Sequence, residues 1–268
     1  MHEREAAEHG LNCRYQLIDL DALGVEAGAL PDLLDAAEMA GFAGLNITHP
    51  CKQSVLPLLT DLSDDASAIG AVNTVVFRDG RRFGHNTDWL GFRDGFQGGL
   101  EGADLSRVVQ LGAGGAGSAT AYALLRMGAE QVTIVDPDER RCGSLVDRYR
   151  AEFGEDRIRV SSDLEASLAE GHGLVHATPT GMNGHPGLPL PARLLRGDLW
   201  VAEVVYVPLE TELLLAARAI GCQTVDGSGM AIYQAIEAFR LFSGLEANPE
   251  RMRDYFLAGG PNGKQISA

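Results

Sequence analysis

Apolar and polar positions change rhythm repeatedly along the chain, and each change marks an element. Leu30, Leu33, Leu34 and Ala37 recur at helical spacing before Gly41, which predicts a helix over Leu30 to Met39. Met1 to Glu8 reads as a helix stopped near Gly10, and Cys13 to Leu20 (CRYQLIDL) as a strand. A short strand at Gly44 to Thr48 is ended by His49-Pro50, which re-aims the chain. Cys51 to Leu59 reads as a helix with Lys52 in its first turn. Asp64 to Ile69 is a short helix capped by Ser63. Val75 to Phe77 and Arg82 to His85 flank Arg78-Asp79-Gly80-Arg81, a hairpin signal through Asp-Gly. Trp89 to Gly99 follows as a helix, and the polar, Gly-bearing stretch from Gly98 to Asp104 reads as a domain boundary.

From Ser106 the pattern becomes a regular alternation. Strands are expected at Arg107 to Leu111, Gln131 to Val135, Arg157 to Val160, Leu174 to His176, Trp200 to Val205 and Gln223 to Val225. Helices are expected after Gly117 to Met127, then at Asp138 to Phe153, Leu164 to Glu170 and Glu210 to Ile220, with a Gly- and Pro-rich loop over Thr178 to Pro191. Alternation of this kind builds a mostly parallel sheet covered on both faces. Two last helices, Met230 to Phe242 and Pro249 to Leu257, are expected to return to the first domain. The tail Gly259 to Ala268 has no apolar pattern and is expected to fray. The predicted class is α/β with two domains. An N-terminal α/β domain covers 1–100 and is completed by 230–258, and a doubly wound Rossmann-type domain covers 104–228.

Composition narrows the classes of function. The chain has 268 residues, 45% of them hydrophobic, and 33 glycines, which suits two turn-rich α/β domains. A formal net charge of −15 with no basic stripe argues against nucleic acid or an anionic membrane as partner. Apolar runs are broken well short of the ~20 residues a spanning helix needs, and the polar, acidic start is not a signal peptide. Cys13, Cys51, Cys142 and Cys222 are scattered without a CxxC pair, which predicts reduced thiols, no metal site and a cytoplasmic protein. His49, His85 and His176 have no metal-ligand spacing and read as local hydrogen-bonders.

Two constellations carry chemistry. Gly112-Ala113-Gly114-Gly115-Ala116-Gly117 supplies G-x-G-x-x-G after an apolar strand and at the head of a helix. Asp136 closes the next strand about twenty residues on, as the dinucleotide fingerprint requires. Glycines permit a tight turn and close approach of a pyrophosphate, and the helix N-terminus offers unpaired N–H groups. A carboxylate at Asp136 accepts from ribose hydroxyls and repels a 2′-phosphate, which favours NAD over NADP; the alternative is a strand-end Asp capping the helix at Asp138. The second constellation runs from Gly44 to Asp88, where Asn46 and Thr48, Asn73 and Thr74, and Asn86 to Asp88 cluster at the ends of strand-like runs. Amide and hydroxyl groups with one amine, Lys52, and one carboxylate, Asp88, suit a small polyhydroxylated ligand and a proton-transfer pair. Spacing alone leaves surface charge and catalysis both open for Lys52 and Asp88.

The strings GLNITHPCKQ, GAVNT, GHNTDWLGF, the GAGGAG loop and DGSGMAIYQA, in that order, closely resemble the shikimate dehydrogenase family from Met1 to about Leu257. Asp136 and EVVYVPLETELL look most like the NAD-dependent quinate/shikimate dehydrogenases of actinobacterial type, and the Asn-Arg-Thr-like motif of NADP-dependent members is missing here. The resemblance implies a two-domain enzyme, with residues 1–100 and 230–258 as the substrate domain, 104–228 as the dinucleotide-binding domain and its site in the interdomain cleft, which interconverts shikimate or quinate and the 3-dehydro acid; monomer and homodimer both stay open. By residue, Lys52 matches the catalytic lysine and Asp88 the aspartate that accompanies it. Thr48, Asn73 and Gln234 match positions that hold substrate hydroxyls, and Tyr206 a further substrate contact. Gly112 to Gly117 match the pyrophosphate loop, while Thr178, Val204, Gly227 and Met230 match positions lining the adenosine or nicotinamide part.

Two departures accompany the match. Family members begin with a strand ending in a Ser-x-Ser/Thr-Pro-type motif just upstream of the Met-His that is here Met1-His2, and those hydroxyls grip the substrate carboxylate. These 268 residues hold neither. The expectation is a start internal to a longer protein, or a truncated paralogue, with slow turnover of the 268-residue form. His176, in HATPTGM, stands where the family more often has Asn. Two alternatives stay open: a dehydrogenase of a related cyclohexane acid such as aminoshikimate, and a catalytically weak dinucleotide-binding paralogue. Retention of Lys52, Asp88, Asn73 and Gln234 argues against the second.

Overall fold

The computed structural model describes residues 1–259; the expectation of a frayed tail falls almost wholly outside them. Among the described residues the chain divides into two compact units, Met1–Thr87 joined by Gln234–Gly259, and Asp88–Tyr233.

The first unit opens with helices α1 (His2–Glu8), α2 (Leu20–Leu23) and α3 (Leu30–Met39) and strand β1 (Gly44–Asn46). Strand β2 (Asp61–Leu62), helix α4 (Asp64–Ile69) and strands β3 (Thr74–Arg78) and β4 (Arg81–His85) follow. Its sheet has the order β1-β3-β4-β2, antiparallel except for the β2–β4 pair. The β3–β4 turn is the predicted Asp-Gly hairpin, with φ of 53° at Asp79 and 67° at Gly80, the left-handed pair that a type I′ turn requires. Leu34 of α3 and Ala66 of α4 share a buried cluster with Val55, Val72 and Val75, so the amphipathic faces read from the sequence find their core.

Two expectations fail in this unit. Cys13 to Leu20 is not a strand: no strand among the described residues pairs with it, and Tyr15 and Leu17 are 48% and 69% exposed. A strand is stable only when a neighbour takes its main-chain hydrogen bonds and one face is buried. Cys51 to Leu59 is not a helix but a run of turns with one 3-10 turn at Leu56–Leu58. Pro57 has no N–H to continue an α-helical ladder there.

The second unit begins with α5 (Asp88–Gly99), β5 (Arg107–Leu111), α6 (Gly115–Arg126), β6 (Gln131–Val135), α7 (Glu139–Phe153) and β7 (Ile158–Val160). It continues through α8 (Leu164–Glu170), β8 (Gly173–His176), β9 (Trp200–Glu203), α9 (Glu212–Ile220) and β10 (Gln223–Val225). The sheet is parallel throughout, ordered β10-β9-β8-β5-β6-β7, the doubly wound arrangement with its switch point between β5 and β8. Pleating points Val109 and Leu111 to the face where α8 and α9 pack through Leu168, Leu213 and Ala217. The intervening Gln110 points to the other face, where its side chain bonds Thr120 of α6. Although its sequence reads as part of the first domain, α5 belongs to this unit. Trp89 packs edge-on against Tyr122 at 5.3 Å, and a Cβ on Gly99 would collide with Val225. The chain leaves the second unit within α10 (Ser228–Ser243) and ends its described course in α11 (Pro249–Leu257), capped by Asn248 with Pro249 in the first turn. Arg251 of α11 and the Asn248 N–H donate to the buried Glu5 carboxylate of α1, at 2.6 to 2.9 Å.

Candidate active site

In the first unit the polar ends of three strands converge. Asn73, just before β3, accepts the Thr87 N–H at 2.7 Å through its carbonyl oxygen, and its amide donates to Thr87 Oγ1 at 3.0 Å and to Gln234 Oε1 at 3.4 Å. Thr74 Oγ1 donates to Asn73 Oδ1 and accepts from the Asn46 amide, and Tyr15 donates its hydroxyl to Asn46 Oδ1 at 2.9 Å. Asn86 holds the same end of the sheet by donating to Ala71 O. These residues form one network because strands β1, β3 and β4 are neighbours: Asn46 lies opposite Thr74 and Thr74 opposite His85. Buried amides and hydroxyls are stable only when paired, and their directional donors and acceptors are what a hydroxylated ligand reads. Of the residues singled out from the sequence, the structure joins Asn73 to Gln234 directly. Thr48 is exposed on the loop after β1, with its carbonyl accepting the Cys51 N–H. Lys52 is half-buried, its carbonyl accepting the Val72 N–H one residue before Asn73. Asp88, the residue after Thr87, opens α5 in the second unit and is buried.

The second unit carries the glycine loop at the carboxyl end of β5, where the sheet reverses its strand order. Each glycine has its own reason. A Cβ at Gly112, whose φ is 105°, would collide with Ala177 O, and one at Gly117 would collide with Gly112 O. A Cβ at Gly114 would meet nothing within 4 Å. The outer two glycines serve the turn and helix–strand packing, whereas Gly114 keeps the backbone open toward a ligand. Helix α6 starts at Gly115 with Gly114 as its cap residue and no side chain capping it, so its first N–H groups remain for an anion. Ala113 does not contribute in this way, since its N–H donates to Asp136 Oδ2 at 2.8 Å. Asp136 Oδ1 takes the Asp138 N–H, also at 2.8 Å, and Asp138 itself caps α7. Both Asp136 oxygens therefore hold backbone and keep lone pairs for ribose hydroxyls. This donor set fits a dinucleotide.

The remaining residues of this half lie around the loop. Thr178 follows β8 beside Gly112, the Val204 N–H donates to His176 O, and Gly227 lies so close to Val204 that a Cβ would strike its carbonyl oxygen. Met230 is buried in the first turn of α10, and Tyr206 is half-buried after β9.

Sequence reasoning missed two buried groups here. Glu203, on β9, accepts from His176 Nδ1 at 2.8 Å, Thr211 Oγ1 at 2.9 Å and the Val205 N–H at 2.9 Å. With only donors around it the carboxylate fixes the proton of His176 on Nδ1, and His176 Nε2 then meets Thr178 Oγ1 at 2.5 Å. The second missed group is Gln110, fully buried under the glycine loop. The signal for both was a lone polar residue inside an otherwise apolar buried strand, VVQL and WVAEVV. Among the described residues there is no group of three or more His, Cys, Asp or Glu side chains arranged to hold a metal ion. No described helix is long and apolar enough to cross a membrane.

Known proteins resemble this chain in sequence and fold. The family model for the shikimate dehydrogenase substrate binding domain matches residues 1–75, and that for the shikimate 5′-dehydrogenase C-terminal domain matches residues 227–254. A shikimate dehydrogenase (NADP(+)) of Streptomyces avermitilis is 57% identical over 254 residues, covering 94% of this chain and 87% of that protein. A quinate/shikimate dehydrogenase (NAD(+)) of Corynebacterium efficiens is 48% identical over 261 residues, covering 96% and 92%. The solved structure of quinate dehydrogenase from Corynebacterium glutamicum in complex with NAD superposes with a TM-score of 0.88 at 48% identity, covering 96% of this chain and 92% of that one. Identity this high over nearly the whole length, with the fold to match, makes this chain a member of the shikimate dehydrogenase family.

Proposed function

We propose that the protein is an oxidoreductase that interconverts shikimate or quinate and its 3-dehydro acid with a nicotinamide dinucleotide, NAD in preference to NADP. The observation that carries the reading is the Asn73–Thr87–Gln234 network, followed in the chain by Asp88. It gathers hydroxyl-reading groups in one unit of a molecule whose other unit bears a pyrophosphate loop. Thr48, Asn73 and Gln234 bind the ring hydroxyls and orient the reacting carbon, and Tyr206 makes a further substrate contact. Lys52 exchanges the proton of the reacting hydroxyl, assisted by the Asp88 carboxylate. Gly112, Gly114, Gly115, Ala116 and Gly117 cradle the pyrophosphate, Ala113 anchors the loop to Asp136, and Thr178, Val204, Gly227 and Met230 line the rest of the cofactor. The dinucleotide, when bound, supplies the hydride acceptor or donor.

The preference for NAD rests on Asp136. Its carboxylate is tethered through two backbone N–H groups at the strand end, where a 2′-phosphate would meet like charge. The NAD(+) names of the Corynebacterium relatives support it, while the Streptomyces relative is named for NADP(+). The test is kcat/KM for each acid with each cofactor. Oxidation of shikimate or quinate faster with NAD than with NADP is expected, and Asp136→Ser narrows the ratio. Equal or better use of NADP refutes the preference, and no turnover of either acid with either cofactor refutes the function.

A further inference from the structure

Beneath the glycine loop lies a side chain that the proposed reaction does not use. Gln110 occupies the middle of β5, between Val109 and Leu111, and is fully buried, where an apolar residue would cost nothing to desolvate. Its amide is fully engaged. Nε2 donates one hydrogen to Gly112 O at 2.9 Å and the other to Gly117 O at 2.8 Å. Oε1 accepts from Thr120 Oγ1 at 2.8 Å, and Thr120 is itself fully buried on α6. Two carbonyls on one side leave the amide a single orientation, since a flip would set its oxygen against both. One side chain thus ties the first glycine of the loop to the third, joining the strand end to the helix start.

We infer that Gln110 is a positioning residue that presets the Gly112–Gly117 loop for a pyrophosphate. The inference rests on the dinucleotide-binding reading of that loop. N–H groups bind an anion well when their geometry exists beforehand, because a loose loop must be ordered at the moment of binding. Gly114 gives the loop freedom that no side chain of its own restrains, and α6 has no side-chain cap. Gln110 supplies the restraint from the side away from the ligand, and Thr120 keeps Gln110 in place.

The test measures binding of NAD, ADP-ribose and adenosine by calorimetry on the full chain and on Gln110→Met, Thr120→Val and Thr120→Ser. Gln110→Met keeps the volume and removes both donors. Its Kd for NAD and for ADP-ribose is expected to rise by about tenfold, the effect of losing about 1.4 kcal/mol. Adenosine, which has no pyrophosphate, is expected to bind as to the parent. KM for NAD rises with Kd, and KM for the cyclic acid does not. Thr120→Val weakens NAD binding in the same direction, and Thr120→Ser, which keeps the hydroxyl, restores it. A merely structural role would lower the melting temperature and leave the ligand pattern flat. The inference is overturned if Gln110→Met, or Thr120→Val where the first does not fold, binds NAD and ADP-ribose as the parent does. An equal loss for adenosine also overturns it. If the parent chain binds neither NAD nor NADP, the underlying reading of the loop fails instead.

Discussion

Acid should weaken the first unit through His2, by an amount that follows from its surroundings. The imidazole is 9% exposed. It stacks on Tyr15 with centroids 4.9 Å apart, lies 6.3 Å from Phe239, and meets Phe242 edge-on at 6.3 Å. Among the described residues its Nδ1 has no hydrogen-bond partner. Burial, and secondarily the charge of the N-terminal amine, push its pKa down from 6.5 to about 4. The unfolded chain takes up the proton near pH 6.5 and the folded chain only near pH 4. Between these values the unfolded state binds more protons, so stability falls as pH falls; above pH 6.5 the penalty is absent. The linkage integral at pH 5 comes to about 2 kcal/mol. For a protein of this size that lowers the melting temperature by roughly 4–8 °C. The assay compares melting at pH 7.5 and pH 5.0 for the parent chain and for His2→Phe, which keeps the stack and removes the titrating group. His85, whose pKa burial also lowers, is present in both proteins and cancels from the comparison. The parent should lose more than the variant by the stated amount. Equal losses would show that His2 does not titrate as its burial requires.

Two further outcomes are expected. Lys52→Ala should reduce kcat by about 10²–10⁴, the range for a positioned acid or base, with little change in melting temperature, and a variant with the parent's kcat would remove Lys52 from the mechanism. Glu203→Ala should destabilise the second unit by about 3–5 kcal/mol, because His176 Nδ1, Thr211 Oγ1 and the Val205 N–H lose their common acceptor; unchanged melting would show the network to be dispensable.

Much of the second unit was legible in the sequence, since its signals are local. The alternation of strand and helix, the Gly112–Gly117 loop and Asp136 at the end of β6, like the Asp79-Gly80 hairpin of the first unit, each depend on residues close in the chain. Period, capping and turn chemistry act over a few residues and leave their mark there. Tertiary structure decided what had no local mark. Cys13 to Leu20 has the composition of a strand but no neighbour to pair with among the described residues, and Pro57 turned an apparent helix into separate turns. The Trp89–Tyr122 contact drew α5 into the second unit. Which polar groups meet was hidden for the same reason. Asn73 bonds Gln234 across 161 residues of chain, and Glu203 holds His176 across 27. Such partners are specified only when strand order and register bring their side chains to one place, because the hydrogen bond that stabilises each group does not exist until the fold does.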